Sequence, residues 1–284
     1  MCLPGTIEAV RERVGQESSP RLDRRKVLLG AAGAALATAL PAGAQISKKP
    51  SSKKSKGRLQ DLTHVLRKDF PLFLGTTIPT ERDVIVTVPA NGFYAQRWAF
   101  WEHVGTHLDA PAHFVVDGRH SPDLTLEELV RPLVVIDISA RVAGDPDALV
   151  LPSDLVAFER RHGRIPRGAV VAMSSGWDSR VGSEDAYLNV GPDGRQHFPG
   201  FGKEAVEWLI ERRDIAAIGV DTLSLDPGEA QSFDAHVTLL SANRYGIENL
   251  ANLGRVPPRG ATIFVGVVPW ELGSGGPARV WAQW

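Results

Sequence analysis

The sequence predicts an α/β domain with a mixed β-sheet core and flanking helices. Five short apolar runs, several of them rich in Val and Ile and flanked by Gly or Pro, have the lengths of buried strands rather than of helices. Helical patterns lie between some of these runs, so strands and helices alternate only in part. The sequence contains neither a G-x-G-x-x-G nor a P-loop pattern, which argues against a doubly wound nucleotide-binding fold.

The predicted strands follow one another along a single domain, residues 59–284. They are DVIVTVP (83–89), PLVVIDIS (132–139), AVVAMSSG (169–176), IAAIGVDT (215–222) and ATIFVGVVP (261–269). Among the helices, a short one is predicted to begin at Thr125, and a second to run from a capping Ser153 to Gly163. A third covers residues 202–214, where charged residues lie opposite an apolar stripe.

The N-terminal region has the composition of an export signal. Arg24 and Arg25 precede a weakly hydrophobic stretch, residues 27–40, and Ala42 and Ala44 follow as an A-x-A site. Paired arginines with low hydrophobicity resemble a twin-arginine signal, so residues 1–44 are predicted to direct the protein to the periplasm or otherwise out of the cell. An uncleaved amphipathic helix is the alternative. The stretch is shorter than the roughly 20 residues that span a membrane, so no stable insertion is expected after cleavage.

Charge changes sign between the next segment and the rest of the chain. Residues 45–58 carry six basic side chains and no acidic one, which predicts a basic, disordered linker. Contact of this run with anionic lipid or nucleic acid is the alternative. From Leu59 onward there are 20 basic and 29 acidic residues, a net charge of −9, so nucleic acid is not expected to bind the folded part. The single cysteine, Cys2, excludes an internal disulfide and a cysteine metal site.

One segment, WEHVGTHLDAPAHF (101–114), concentrates potential metal ligands: His103, His107, Asp109 and His113. Ligands of one ion must converge, because imidazole and carboxylate bind such ions at about 2.0–2.2 Å. In an extended strand His103 and His107 would lie about 13 Å apart, so a turn at Gly105 is required. Two imidazoles and a carboxylate without thiolate suit an open Zn²⁺ or Mn²⁺ site. Ordinary surface or core histidines are the alternative.

The run HVGTHLDAPAH (103–113) resembles the H-x-G-T-H-x-D-x-P-x-H signature of the cyclase family, which includes bacterial kynurenine formamidases and isatin hydrolases. The resemblance extends over nearly all of residues 60–284 and implies the fold of these metallohydrolases. Its further blocks are DLTH (61–64), SSGWD (174–178), FPGFGKEAVEWLIER (198–212), IGVDTLSLDP (218–227), HVTLLSANRYGIENLANL (236–253) and GPARVWA (276–282).

This resemblance implies a larger set of site residues than spacing alone gives. The family's metal ligands correspond here to His103, His107, Asp109, His236 and Glu248. One or two divalent ions per chain, Zn²⁺ or Mn²⁺, are expected, and with two ions Asp109 and Glu248 would bridge them. His113 corresponds to the residue that acts in proton transfer, with a role as a further metal ligand as its alternative. The resemblance also implies a homodimer or a dimer of dimers.

The implied activity is hydrolysis of an amide, lactam or related acyl bond in a small aromatic substrate. Metal-activated water would attack the carbonyl, with His113 as general acid and base. This chemistry is that of an arylformamidase or cyclic-amide hydrolase. Two alternatives stay open: a metal-dependent cyclase or dehydratase, and an exported metal-binding protein without turnover.

The wall of the substrate pocket is expected to be aromatic. Phe70, Phe73 and Trp101 are the candidate wall residues, with a plain core role as the alternative for each. Kynurenine formamidases carry a Trp-Pro-Gly motif in their opening block. The corresponding stretch here, FPLFLGTT (70–77), has Phe73 near the place of the tryptophan, which argues against formylkynurenine as the substrate.

Overall fold

The computed structural model of the protein describes residues 57–76 and 78–284. The predicted signal peptide and the predicted linker as far as residue 56 lie outside the described residues. The described chain divides into two compact units, a smaller one of residues 82–98 and a larger one of residues 57–81 and 99–284. Within the described ranges, no helix combines the length and apolar character needed to cross a membrane.

The strands of the described residues number twelve. They are β1 (Leu59–Asp61), β2 (Glu81–Val86), β3 (Ala95–Ala99), β4 (His107–Asp109), β5 (Val130–Asp137), β6 (Leu149–Val150), β7 (Val170–Ser174), β8 (Gly200–Phe201), β9 (Ala217–Val220), β10 (Tyr245–Glu248), β11 (Arg259–Val267) and β12 (Gly275–Gln283). Eight of them form one mixed sheet in the order β1-β12-β11-β5-β7-β9-β10-β4. The predicted fold class, an α/β domain with a mixed sheet core, is therefore confirmed in the larger unit.

The sheet closes on itself through β4, the last strand in this order, which also pairs with β12. Strands β5, β7, β9 and β10 run parallel to their neighbours in this group, and β11, β12 and β4 pair antiparallel. β4 pairs with β10 on one side and with β12 on the other. As a result Asp109 lies opposite Gly246 in β10 and opposite Gly275 in β12. This double pairing places β4 where distant parts of the chain converge.

The described α-helices are short, and most connect neighbouring strands. They are α1 (Val88–Asn91), α2 (Leu126–Leu129), α3 (Ser139–Val142), α4 (Pro152–His162), α5 (Glu184–Leu188), α6 (Lys203–Arg213) and α7 (Asp234–Ser241). The predicted start at Thr125 is confirmed, since its hydroxyl accepts the Glu128 N–H. The prediction that Ser153 caps the next helix is wrong, because α4 already begins at Pro152. Proline suits the first helical turn since it has no N–H to leave unpaired. The Leu151 N–H before it donates to the Asp154 carboxylate.

Apolar side chains fill both faces of the parallel strands. Val134 and Ile136 of β5 point into a cluster that includes side chains of α4, α6 and α7. Their neighbours Leu133 and Val135 point into a second cluster, formed mainly by strands of the sheet. Strands buried on both faces read as continuous apolar runs, which is why β5, β7 and β9 were recognisable in the sequence.

One predicted strand lies in the smaller unit and differs from the structure. Residues 83–89 were expected to form a buried strand, but β2 ends at Val86 and α1 begins at Val88. β2 pairs only with β3 among the described strands, and Val84 and Ile85 are 50% and 60% exposed. The apolar run predicts a buried strand because an apolar run alone does not distinguish a buried strand from an exposed one.

Candidate active site

A turn brings the two halves of the ligand-rich segment together. Gly105 has φ +63°, a left-handed conformation that residues with a side chain rarely adopt. The ring centroids of His103 and His107 are consequently 5.3 Å apart, far less than the span of an extended strand. The turn predicted at Gly105 is therefore confirmed. Beyond β4, one 3-10 turn at Pro111–His113 directs the chain back past the site.

Two residues from the distal block join this segment. Glu248 ends β10 and lies opposite His107 in the antiparallel register with β4. His236 lies in the first turn of α7. The structure thus brings together all five predicted ligand residues, although the distance of His236 and Glu248 along the chain from the first three gives no hint of it. Their binding of metal remains a prediction.

Four buried side chains surround a common point. The His107 Nε2 atom lies 3.2 Å from Asp109 Oδ1 and 3.3 Å from Glu248 Oε2. The His236 Nε2 atom lies 3.0 Å from Glu248 Oε1 and 3.6 Å from Asp109 Oδ2. All four residues are at most 5% exposed. Two nitrogen atoms and several carboxylate oxygen atoms therefore face one another at a buried position that borders a cavity.

This donor set fits a divalent cation. His107 Nε2 and Asp109 Oδ2 are buried and have no hydrogen-bond partner among the described residues. Leaving such an atom unpaired in a protein interior costs roughly 1–3 kcal/mol of folding free energy. The two unpaired atoms therefore indicate a further binding partner at this position. A cation bound between the imidazole nitrogens and the carboxylate oxygens would satisfy both atoms.

The far ring nitrogens set the orientation of the two buried histidines. His107 Nδ1 donates to the Gly105 carbonyl at 2.8 Å, and His236 Nδ1 donates to Asp226 Oδ2 at 2.6 Å. Carbonyl and carboxylate oxygens accept but do not donate, so both Nδ1 atoms carry hydrogen. The Nε2 atoms are then the ones that face Asp109 and Glu248, as metal-binding imidazoles require.

Charge–charge interactions decide the protonation of this cluster when no cation is bound. Burial alone would lower the pKa of His107, but Asp109 and Glu248 outweigh burial and raise its pKa to about 10. The pKa of His236 is likewise raised well above its usual value despite burial. Burial opposes ionisation of Asp109, yet the neighbouring His107 holds its pKa well below the usual range. Protons and a cation therefore compete for the same nitrogens.

His103 and His113 form the more accessible side of the site. His103 Nδ1 lies 2.7 Å from Asp109 Oδ1, and the His113 ring stacks on the His103 ring with centroids 3.7 Å apart. Ligand atoms of His103, Asp109 and His113 lie within 4.8 Å of one another, as do those of His107, Asp109 and Glu248. These two trios share Asp109. The geometry therefore accommodates either role of His113, as proton carrier or as ligand.

The His113 ring is neutral in these surroundings. Burial lowers its pKa to about 4, and the attraction of Asp109 does not compensate. The described residues offer its ring nitrogens no hydrogen bond, while its backbone N–H donates to the Ala110 carbonyl at 2.9 Å. A neutral imidazole fixed by its backbone and free at its ring nitrogens can accept a proton from a molecule in the adjoining cavity.

A cavity of about 290 Å³ opens onto these histidines. Its apolar lining includes Pro71, Leu72, Phe73, Trp101, Phe114 and Phe233. Phe73 and Trp101 thus lie in the wall, and their contact with substrate stays a prediction. Phe70 does not line this cavity: it is 4% exposed and packs against His64 and Tyr187, so its proposed place in the wall is wrong. Its alternative, a core role, is confirmed.

Sequence reasoning missed several residues of the site. Phe233 contacts Phe73, Phe114 and His236 with its ring and has φ +50°, an uncommon conformation for a bulky residue. Asp226 accepts from His236, but ten residues separate the two and no spacing rule links them. Phe114 directly follows His113, and this adjacency was the one available signal.

Comparisons with known proteins agree with this geometry. Residues 60–227 match the family described as "Putative cyclase". An isatin hydrolase from Roseibium aggregatum is 34% identical, over 78% of this chain and 90% of its own length. A kynurenine formamidase from Erythrobacter litoralis is 28% identical, over 70% of this chain and 82% of its own. The structure of isatin hydrolase A from Ralstonia solanacearum is 39% identical, with a TM-score of 0.75 and coverage of 80% of this chain and 92% of that one.

Proposed function

This chain belongs to the cyclase family, and from that premise we propose that it hydrolyses the cyclic amide bond of isatin or a close aromatic analogue. The protein is a metal-dependent hydrolase of C–N bonds other than peptide bonds, since isatin hydrolases and kynurenine formamidases are both among its relatives. The observation that carries the choice of substrate is an apolar, aromatic cavity that ends on a buried cluster of imidazoles and carboxylates.

The character of the cavity favours an uncharged bicyclic substrate. Among the described residues that line it, none is Lys or Arg, and four are Phe or Trp. Formylkynurenine carries an amino-acid ammonium and carboxylate, and the carboxylate would lose hydration here without a cationic partner. Isatin is flat and uncharged, so aromatic side chains can pack against both of its faces. The greater identity to isatin hydrolases than to the kynurenine formamidase points the same way.

We assign the metal ligands to the residues that converge at β4: His103, His107, Asp109, His236 and Glu248. Imidazole and carboxylate donors without thiolate suit Zn²⁺ or Mn²⁺, one or two ions per chain. When bound there, such a cation supplies Lewis acidity that polarises the amide carbonyl and makes water more acidic. Asp226 and the Gly105 carbonyl hold His236 and His107 with their Nε2 atoms toward it.

His113 carries the proton in this proposal. Hydrolysis adds a water oxygen to the carbonyl carbon, breaks the C–N bond and leaves a carboxylic acid and an amine in one product molecule. The acid then loses its proton to solvent and becomes a carboxylate. The neutral His113 ring accepts the proton that water loses as its oxygen attacks. Burial disfavours the charged form and lowers the pKa of His113, so the imidazolium formed readily gives that proton to the departing nitrogen. Phe114 packs edge-on against the His113 ring and lines the cavity together with Phe233.

A substrate panel tests the proposal. Hydrolysis of isatin, an aryl formamide, a non-aromatic lactam and an aryl lactone is measured before and after treatment with a chelator. We expect isatin to be hydrolysed with the highest kcat/KM, the activity to disappear with the chelator, and Mn²⁺ or Zn²⁺ to restore it. Absence of chelator-sensitive hydrolysis of every compound would overturn the proposal.

Export and assembly are proposed on sequence grounds alone. The paired arginines Arg24 and Arg25 are proposed to direct export, so Arg24→Lys with Arg25→Lys should retain the protein in the cytoplasm on cell fractionation. Periplasmic protein in the double variant would contradict this. The protein is further proposed to form a homodimer or a dimer of dimers, as the family resemblance implies. A monomer in sedimentation velocity at micromolar concentration would contradict that proposal.

A further inference from the structure

Among the three histidines proposed as metal ligands, His103 differs from His107 and His236 in the partner of the ring nitrogen that points away from the metal position. His103 Nε2 lies 2.9 Å from the Ser274 hydroxyl, whereas His107 and His236 face a carbonyl and a carboxylate. A hydroxyl both donates and accepts, so this contact alone leaves the tautomer of His103 undetermined. Only a further partner of Ser274 can decide which way its proton points.

Glu102 is that partner. Its Oε2 atom lies 2.5 Å from Ser274 Oγ and 3.0 Å from the Ser274 backbone nitrogen. An ionised carboxylate only accepts hydrogen bonds, so the single hydroxyl proton of Ser274 points at Glu102. Ser274 Oγ must then accept from His103 Nε2–H. In the neutral ring of His103 the bare nitrogen is therefore Nδ1, which faces Asp109 Oδ1 at 2.7 Å.

Ser274 is anchored independently of Glu102. The Ser274 carbonyl accepts the Ala110 N–H at 2.9 Å, and the next residue, Gly275, pairs with Asp109 in the β4–β12 ladder. A side chain at Gly275 would meet the His103 ring, since its Cβ would lie 2.8 Å from His103 Cε1. The start of β12 thus fixes the place of both Ser274 and the ring. Glu102 adds an acceptor for the Ser274 backbone N–H and sets the direction of the Ser274 hydroxyl proton.

We propose that Glu102 and Ser274 are positioning residues that hold His103 in the Nε2–H tautomer, with its Nδ1 lone pair directed at the metal position. This inference rests on the proposed metal site and adds two residues, one on each side of the β4–β12 junction. A bare Nδ1 and the Asp109 carboxylate, 2.7 Å apart, repel each other until both bind a cation or a proton joins the ring. Glu102 adjoins His103 in sequence, but Ser274 is 171 residues away.

The test is the affinity of the metal-free full chain for Mn²⁺, measured by isothermal titration at pH 8. Glu102→Ala removes the acceptor and frees the Ser274 hydroxyl to donate to His103, so Kd should rise about 10- to 100-fold, as for other partners of metal-bound histidines. Glu102→Gln keeps an acceptor oxygen, so its Kd should stay near the wild-type value. Glu271→Ala is the matched control, because Glu271 is an exposed carboxylate three residues from Ser274.

A double variant separates this role from general loss of structure. If Glu102 acts through Ser274, then Glu102→Ala should weaken Mn²⁺ binding no further in a Ser274→Ala background. The inference would be overturned, with the metal site left intact, if Glu102→Ala bound Mn²⁺ as tightly as the wild type. It would also be overturned if the losses of affinity in Glu102→Ala and Ser274→Ala added up in the double variant. Failure of the wild-type chain to bind Mn²⁺ or Zn²⁺ at all would overturn the metal site and this inference together.

Discussion

His113 lies flat against His103, with ring centroids 3.7 Å apart and planes inclined by 20°. This stack fixes a neutral imidazole beside the proposed metal position and inside the cavity. If His113 carries the proton, His113→Ala should lower kcat about 10²- to 10⁴-fold while the metal content stays that of the wild type. Loss of metal in this variant would instead make His113 a ligand. His162→Ala, at the end of α4 and away from the cavity, should change neither quantity.

Metal binding should release protons. The pKa of His107 is raised to about 10 without a cation, so below that pH its ring holds a proton that the cation must displace. Affinity for Mn²⁺ or Zn²⁺ is therefore expected to increase with pH over the range in which the protein stays folded. Titration calorimetry at pH 7.5 in two buffers of different ionisation enthalpy gives the number of protons released. At least one per ion is expected, and none would contradict the assigned protonation of the cluster.

The Phe233 ring should contribute to substrate binding, although the backbone of Phe233 is strained by its positive φ. Glycine adopts φ +50° without strain, so Phe233→Gly removes the aromatic ring and relieves the backbone at the same time. We expect KM for isatin to rise about 3- to 10-fold, since an aromatic contact contributes roughly 0.5–1.5 kcal/mol, with a smaller change in kcat.

A phenylalanine outside the cavity provides the control for Phe233. Phe264→Ala breaks the stack with Trp281 and should leave KM unchanged. Steady-state kinetics of both variants, with melting temperatures, give the comparison. An unchanged KM in Phe233→Gly would remove Phe233 from the substrate wall.

Asp221 should make the folded protein less stable as pH rises. Burial raises its pKa to about 7, while the unfolded chain has an ordinary carboxyl with a pKa of about 3.9. Between these values the folded chain binds a proton that the unfolded chain has lost. The contribution of Asp221 to the free energy of unfolding therefore falls by about 1.4 kcal/mol per pH unit, on the order of 4 kcal/mol in total, and is constant above pH 7.

Denaturant titrations between pH 4 and 8 test this pH dependence. Asp221→Asn cannot titrate, so it should become more stable relative to the wild type as pH rises to 7. Asp185→Asn, at an exposed position in α5, should follow the wild type. Parallel curves for the wild type and Asp221→Asn would contradict the raised pKa.

Some of the site was predictable because its determinants are local. The need for His103 and His107 to share an ion required a turn, and Gly105 supplies it with a positive φ. Asp226 and Ser274 were not predictable, because their contacts with the histidines arise from strand pairing and helix packing rather than from spacing. The family resemblance, not any pattern in the residues, pointed to His236 and Glu248.

The same distinction applies to the fold. β5, β7 and β9 are buried on both faces, so their composition alone marks them as central strands. The closure of the sheet depends on β4, a three-residue strand that pairs on both sides. So short a strand has no hydrophobic period to recognise, and its partners lie far along the chain. Its pairing, which sets the register of Glu248 opposite His107, was visible only in the structure.

The central claim is that a divalent transition metal occupies the cluster around Asp109 and Glu248. Elemental analysis of the gently purified protein by mass spectrometry measures this directly, with His107→Ala as the comparison. The account predicts one or two Zn²⁺ or Mn²⁺ ions per chain in the wild type and a clear loss in the variant. A wild-type protein that contains no stoichiometric transition metal, and takes up none when Zn²⁺ and Mn²⁺ are offered, would contradict it.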